Sequence, residues 1–572
     1  MPDFAAWRRG AAIDDAVAAL VVAVLLIPQS LAYALLAGLP PQVGVYASIL
    51  PMLAYAALGS SSVNSVGPVA VVALMTGQAI AAFGSGAAGW APTQLAVVLA
   101  VEAGALLALA ALLKLDALAS LLSAPVLAGF STGAALTIAL SQAPALLGSP
   151  ARGYTAPAVL ESWWSQAALA HAPTAAFGLA ALAALLLARR YGVRLLSRWL
   201  APRRASLLVR AFPLVVVVAA IVAAIALAAG DNKVALVGAL PPFALPLVLP
   251  PLDAALWLAL LPAAASIALV SYVSSLAVAE AMALRRRERL DARREMTALA
   301  AANVAAGFGA GMPVGGSFSR TAVNADAGAR TRAAGALAAL FMALAMFGAG
   351  AALEHLPRTV LAATIVVAVL GTIEWQAFAE AWRYSRVEAV LMALVAAVTF
   401  LVDVQTALAL GVALSIALLL QRSAAPHVAR IGRVGDTEHY RNADRHAVQC
   451  EPGVLGLRID ESLIFTNARR LPDAVAQHLD VLPDTRRVLL LMSPVNRIDF
   501  SGLEALHALH DALAARGIRL DLSEVKGPVL DALKAGGWER WFHGRVYLSH
   551  HQGMQAEDQE LRRMAGRPPP EA

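Results

Sequence analysis

From residue 16 to residue 421 the chain is a succession of long apolar runs separated by short polar loops. Crossing the hydrocarbon core of a bilayer takes roughly 20 apolar residues, and about fourteen runs approach that length, the first at 16–37 and the last at 404–421. Two of them, 67–83 and 317–328, are short or begin on polar residues, and each is expected to be a half-helix. After residue 421 the pattern changes. Residues 422–451 are polar and read as a linker. Over 452–550 short strands (454–459, 487–492, 518–522) alternate with helices (467–479, 501–516, 528–535), and 462–466 reads as extended. Such alternation argues for a small α/β domain with an open sheet. Residues 551–572 are charged and proline-rich and are expected to be disordered. Residues 1–15 form a short segment before the first span.

Composition supports lipid as the solvent of the long apolar part. The 572 residues are 59% hydrophobic and 14% charged, whereas a soluble domain is about half apolar and about a quarter charged. The sequence pI of about 9.6 does not point to nucleic acid, because the basic residues crowd into short loops beside apolar runs. One loop holds Arg189, Arg190, Arg194, Arg198, Arg203, Arg204 and Arg210, and another holds Arg285, Arg286, Arg287, Arg289, Arg293 and Arg294. Arg330, Arg332, Arg383 and Arg386 fall on the same side. The opposite loops hold little more than Arg152, Lys233 and Arg358. Basic loops stay inside, so both termini are expected in the cytoplasm of a cell whose inner membrane holds the protein. The first apolar run is too long for a cleaved signal. The single cysteine, Cys450, excludes an internal disulfide.

The chemistry is expected at two interrupted segments. One reads SSVNSVGP over 61–68 and then continues as an apolar helix. The other reads AGMPVGGSFSRT over 310–321. Unpaired backbone in hydrocarbon costs several kcal/mol per group, so such breaks persist only where they line a cavity or face each other. One break lies near the start of each half, which is the pattern of an inverted repeat with a site at the midplane. A half-helix N-terminus offers free N–H groups and about half a positive charge, so two of them aimed at one point suit an anion. The candidates are Gly67, Pro68 and Val69 at the first break and Ser317, Phe318, Ser319 and Arg320 at the second. Gln29, after Pro28 in the first span, either binds substrate or joins helices. Thr132 and Gln142 are expected to join helices. Ser271, Ser274 and Ser275 either face the cavity or bond their own helix. Glu102, deep in the fourth span, is a candidate proton or cation partner, and Glu280 is expected to reach out to the interface. Gly307, Gly309 and Gly311 read as close helix packing, since no strand precedes them. The sequence holds no metal-ligand cluster, nucleophile elbow or P-loop, so neither an enzyme nor a cofactor is expected.

These residues resemble a known family. The stretches 28–34 (PQSLAYA), 38–41 (GLPP) and 44–46 (GVY) are similar to the first signature of the SulP anion permeases, the sulfate-transporter family. Residues 303–324, with PVGGSFSRTAVN, are similar to its other strong signature. VLG at 369–371, the helix of Ser415, PH at 426–427 and TEHYR at 437–441 follow the same pattern, and DFSGL at 499–503 resembles part of a STAS domain. The likeness implies fourteen segments as seven plus seven inverted, divided into core and gate, and a homodimer with an elevator-like core movement. It implies a site between the third and tenth segments, whose N-termini here are 67–69 and 317–320. Family substrates are sulfate, bicarbonate, chloride, oxalate and dicarboxylates. Many members couple to protons or sodium through an acidic residue in the eighth segment. Here Ser274, in YVSSL over 272–276, holds that position, and a serine carries no proton at neutral pH. Coupling is then expected to use another carboxylate, such as Glu102, or else the protein exchanges anions or is uncoupled. In soluble STAS proteins a Ser or Thr at the position of Ser501 is phosphorylated; the alternative for Ser501 is an ordinary helix N-cap.

The sequence therefore reads as a polytopic α-helical membrane protein with a C-terminal STAS domain. Its expected role is secondary transport of an inorganic anion, sulfate first and bicarbonate or a dicarboxylate next. An anion channel or a ligand-reporting regulator are the other classes. Its expected partners are the anion, a proton or sodium co-substrate, membrane lipid and a second copy, with no nucleic acid.

Overall fold

The computed structural model describes residues 11–83, 89–115, 122–166, 170–239 and 246–556. Residues 1–10, and 557–572 of the expected disordered tail, lie outside the described residues. The chain forms two compact units, Met1–Ser415 and Ile416–Ala572.

The first unit is built of helices in two matching sets. The first set is α1 (Ala12–Leu36), α2 (Pro41–Leu58), α3 (Ala70–Phe83), α4 (Pro92–Leu112), α5 (Ala124–Leu146), α6 (Ala156–Gln166), α7 (Ala172–Leu187) and α8 (Pro202–Ala226). The second set is α9 (Ala254–Arg286), α10 (Ala292–Phe308), α11 (Phe318–Ala327), α12 (Ala333–Leu353), α13 (Arg358–Val369), α14 (Trp375–Tyr384), α15 (Arg386–Leu401) and α16 (Val404–Ala424), the last of which runs on into the second unit. In each set the third helix is short and follows a two-residue strand, β1 (Val66–Gly67) or β2 (Gly315–Gly316). In each set an extra short helix, α6 or α14, also follows the fifth. The two sets are the repeats of a seven-plus-seven membrane fold. Among the described residues eight helices are long and apolar enough to cross a membrane, and α3, α13 and the Ala333–Gly348 part of α12 are shorter apolar stretches.

Local sequence accounts for the helix boundaries. Proline at the first turn starts α2, α4, α5, α7 and α8, where its missing N–H has no helical partner to lose. Asp253 caps α9 by accepting from Leu256 N–H at 3.0 Å, and Asp291 caps α10 by accepting from Arg294 N–H at 3.0 Å. Packing then relies on small residues, as membrane helices do. A Cβ on Gly307 would lie 2.4 Å from Val101 Cγ2, and one on Gly311 2.9 Å from Ala47 Cα. The glycine run at 307–311 is therefore a close-packing surface, as its sequence context predicts. Helices α1–α4 pack mainly with α9–α12, while α5, α7, α13 and α15 form a second group.

Two helices go beyond the sequence pattern. α6 and α14 have 11 and 10 residues, too short to register as spans, and their polar positions break the apolar runs. Thr132 and Gln142 also differ from expectation. Gln142 donates only to its helix neighbour Ser141 Oγ at 3.3 Å, and the buried Thr132 hydroxyl has no partner among the described residues. Among the described residues neither side chain bonds to a second helix.

The second unit carries a sheet in the order β4-β3-β5-β6-β7-β8. Its strands are β3 (Val428–Arg433), β4 (Tyr440–Asn442), β5 (Val454–Ile459), β6 (Arg487–Leu491), β7 (Arg519–Ser523) and β8 (Val546–Tyr547). β5 to β8 are parallel, and β3 runs antiparallel to β4 and β5. The helices are α17 (Arg470–Val481), α18 (Phe500–Ala515) and α19 (Gly527–Ala535). The stretch 422–451 is thus no plain linker, because it holds β3 and β4. Its six-residue β3 is half-buried at alternating positions, with arginines outward, so its apolar content alone does not announce a strand. Residues 551–556 are helical, and Met554 is buried, so order extends past the expected start of the tail. The cap of α18 is Asp499, which accepts from Gly502 N–H at 2.9 Å and from Phe465 N–H at 2.8 Å. Ser501 is exposed in the first turn and does not cap it.

Candidate functional site

The two interrupted segments meet. β1 pairs antiparallel with β2, Val66 opposite Gly316 and Gly67 opposite Gly315. Each stretch leaves backbone groups that its own helix cannot satisfy, and the other stretch satisfies them. Ser317 N–H donates to the Ser65 carbonyl at 3.1 Å. The Thr321 hydroxyl donates to Asn64 Oδ1 at 3.1 Å and accepts from Ser65 N–H at 3.0 Å. Behind β2, Asn303 accepts from Val314 N–H at 2.9 Å and donates to its carbonyl at 3.2 Å. Ser271 donates to the same carbonyl at 2.5 Å. Ser275 accepts from Gly316 N–H at 2.6 Å and donates to the Ser271 carbonyl at 2.5 Å. The crossing is therefore pinned by polar side chains from α9, α10 and α11.

This arrangement aims the N-termini of α3 and α11 into one cavity of about 680 Å³. From the α3 side Val69, Ala70 and Val71 line it, and from the α11 side Ser317, Phe318, Ser319 and Arg320 do so. Gln29 and Ser274 also line it. Gly67 and Pro68 are buried beside it. Ser317 is the N-cap of α11 and accepts from Arg320 N–H, and its hydroxyl lies 3.3 Å from that of Ser319. The cavity runs between the two helix groups, since Phe130, Ser131, Thr364 and Val367 of α5 and α13 form the facing wall. At its other end stand exposed Arg189 and half-buried Arg210. Arg210 forms an ion pair with Asp326 of α11 at 2.8 Å.

Arg320 sets the charge of the inner end. It is 1% exposed. Its Nη1 donates to the Pro68 carbonyl at 2.9 Å and approaches Gln29 Oε1 at 3.5 Å. Its Nε and Nη2 have no partner among the described residues. A buried guanidinium with open donors is costly unless something accepts from them. With Arg189 and Arg210, three arginines line the cavity, and none of its described lining residues is Asp or Glu. The described lining is therefore basic, with the electrostatics to hold an anion.

Several candidates sort themselves by place. Gln29 lines the cavity, and its Oε1 lies 3.5 Å from Arg320 Nη1. Of the three serines, only Ser274 lines the cavity, while Ser271 and Ser275 hold β2. Glu102 is 3% exposed at the middle of α4, away from the cavity lining, and its Oε2 has no partner among the described residues. Glu280 is exposed at its helix end. Ser275 is a candidate from sequence, whereas the individual roles of Asn303 and Thr321 are not read there. Their one signal is polarity inside apolar helices, which does not distinguish a backbone clamp from a surface residue.

Comparisons with known proteins identify the family and the fold. The model of the sulfate permease family matches residues 13–395, and that of the STAS domain matches residues 446–553. A probable sulfate transporter from Mycobacterium tuberculosis is 33% identical, over 92% of this chain and 91% of its own. Probable sulfate transporter 4.2 from Arabidopsis thaliana is 31% identical, over 93% of this chain and 80% of its own. Among solved structures, murine Slc26a9, an anion transporter in its inward-facing state, superposes with a TM-score of 0.84 at 22% identity, covering 96% of this chain and 91% of that one. The transmembrane domain of the cyanobacterial bicarbonate transporter BicA superposes with a TM-score of 0.60 at 20% identity, covering 69% of this chain and 96% of that one. These two likenesses carry the fold. A multi-pass helical unit with paired half-helices, joined to a STAS domain and matched along most of its length, makes this chain a member of the sulfate permease family.

Proposed function

We propose that the protein is a secondary transporter that moves a small inorganic anion, sulfate first, by alternating access. One observation carries the reading: buried Arg320 holds two open donor nitrogens in a cavity into which two half-helix N-termini point. Gly67, Pro68 and Val69, with Ser317, Phe318, Ser319, Arg320 and Gln29, form the proposed substrate site. The relatives named as sulfate transporters favour sulfate over bicarbonate or a dicarboxylate. The division of the helices into two groups with the cavity between them supports a rigid core sliding past a gate. With the arginine-rich loops in the cytoplasm of an inner-membrane protein, the Arg189 and Arg210 end faces inward. A homodimer is the proposed assembly. Exposed Ser501, at the positive end of α18, is the proposed modification site of the STAS domain.

Ser274 favours a second mode. It lines the cavity where the resemblance expects a carboxylate, and none of the described lining residues is an Asp or Glu that could carry a proton or bind sodium beside the anion. Exchange or uncoupled conduction fits that lining. Coupled transport would have to work through a group outside the cavity, with Glu102 the candidate.

Reconstituted protein tests both points. Saturable uptake of labelled sulfate, in competition with bicarbonate and succinate, identifies the substrate. Uptake that persists with proton and sodium gradients collapsed supports the uncoupled mode. A protonophore that abolishes uptake overturns it, and no uptake of any of these anions overturns the transporter reading.

A further inference from the structure

Beyond the transport site, the link between α7 and α8 carries an unexplained double row. α7 passes into a π-helical turn, Ala188–Gly192, and a last helical turn, Val193–Leu196. Arg190, Arg194 and Arg198 recur every fourth residue and are all exposed. Tyr191, Leu195 and Trp199 recur every fourth residue one position later. They are 50%, 57% and 85% exposed. A π turn is wider than an α turn, so it advances less per residue. The π turn holds Arg190 and Tyr191, the helical turn Arg194 and Leu195, and the turn that follows Arg198 and Trp199. A basic row thus runs beside an apolar row. The Arg190 guanidinium lies 5.8 Å from the Tyr191 ring centroid, which ties the two rows together. Arg189 belongs elsewhere, since it donates to the Val367 carbonyl at 2.8 Å and lines the cavity.

We infer that this link is a docking element for the headgroups of anionic phospholipids. The basic row suits phosphate, which guanidinium binds in a planar, two-donor geometry. The apolar row suits the boundary just beneath the phosphates, where Tyr and Trp settle at the end of a membrane helix. Setting topology explains the number of arginines in this loop. It does not explain their four-residue spacing or the exposed Tyr, Leu and Trp alongside. An acidic protein segment would use the basic row but leave Leu195 and Trp199 in water, so lipid is the better match. The inference rests on the membrane placement of α7 and is independent of which anion is carried.

The test uses the full chain in nanodiscs of phosphatidylcholine with and without phosphatidylglycerol. Native mass spectrometry counts the lipids that stay bound after release. Wild type should retain phosphatidylglycerol in preference to phosphatidylcholine, and the preference should fall with ionic strength. Arg190→Gln, Arg194→Gln and Arg198→Gln should each lower it by about fivefold. Their lysine counterparts should keep most of it. Trp199→Ala should lower it without a change of charge. Sulfate uptake in pure phosphatidylcholine vesicles should be the same for wild type and the glutamine variants, which shows that they fold. Equal retention by wild type and the triple glutamine variant overturns the inference, as does no preference in wild type. Retention that follows the arginines but ignores Trp199 overturns the part assigned to the apolar row.

Discussion

Arg320 Nη1 donates to the Pro68 carbonyl over 2.9 Å, which joins the two interrupted segments through a side chain as well as through the β1–β2 pair. The bond orients the guanidinium so that Nε and Nη2 remain open. Arg320 thereby holds the crossing together and leaves donors for an anion.

Removing that charge should be felt in binding before folding. A hydrogen bond to a charged group contributes about 1.5–3 kcal/mol, so Arg320→Ala should raise the KM for sulfate by roughly 10- to 100-fold. Arg320→Lys should recover part of this, because a lysine supplies charge without the planar fork. Uptake kinetics in proteoliposomes check both. An unchanged KM in Arg320→Ala would remove the residue from the site.

The room beside Gly67 is graded. A Cβ there would sit 3.5 Å from Arg320 Nη2, which is ordinary contact. Gly67→Ala should therefore keep transport with weaker binding. Gly67→Leu should abolish uptake, because its branch has to displace the guanidinium. Sulfate saturation curves of the two variants separate these outcomes, with thermal melting as the folding control.

Ser274 offers a gain-of-coupling experiment. Ser274→Glu places a carboxylate in a cavity lined by Arg189, Arg210 and Arg320. An ionised glutamate should compete with the anion, and a protonated one should not. Uptake by the variant should become stimulated by external acid, while Ser274→Ala should behave as wild type. Uptake measured against an imposed pH gradient decides; a gradient-insensitive Ser274→Glu would show that the position does not face the substrate.

The STAS unit should be acid-sensitive through His550. Its ring is buried, its Nδ1 lies 2.8 Å from Ser523 Oγ, and its Nε2 has no partner among the described residues. Burial, reinforced by the charges of Arg487 and His551, lowers its pKa from 6.5 to about 3. Below pH 6.5 the unfolded chain binds a proton that the folded unit excludes, so stability falls as pH drops from 6.5 towards 3 and levels off below that. The loss amounts to a few kcal/mol, at about 1.4 kcal/mol per pKa unit. Hydrogen exchange of β5–β7 in the full chain should accelerate over that window, and His550→Phe should flatten the dependence.

Much of this was legible in the chain itself. Lipid demands long apolar runs, so the helical spans, the two short segments after residues 67 and 317 and the arginine-rich loops could be read directly. The broken SSVNSVGP and PVGGSFSRT stretches marked the proposed site because hydrocarbon tolerates broken backbone only where something satisfies it. The α/β alternation of the C-terminal unit also stood out, except for β3 and β4, whose short half-polar strands resemble loop. What needed the folded structure was everything set by distant neighbours. No local pattern shows that Gly67 lies opposite Gly315, that Asn303 and Ser275 clamp the second break, or that Ser274 lines the cavity while Ser271 and Ser275 do not. Glu102 and Arg320 look equally improbable in a membrane by sequence. Only the packing of helices far apart in the chain places the arginine against the cavity and the glutamate away from it. Apolar periodicity reports the solvent around a helix, whereas a polar site depends on which backbone groups its own helix leaves unpaired and which distant side chains reach them.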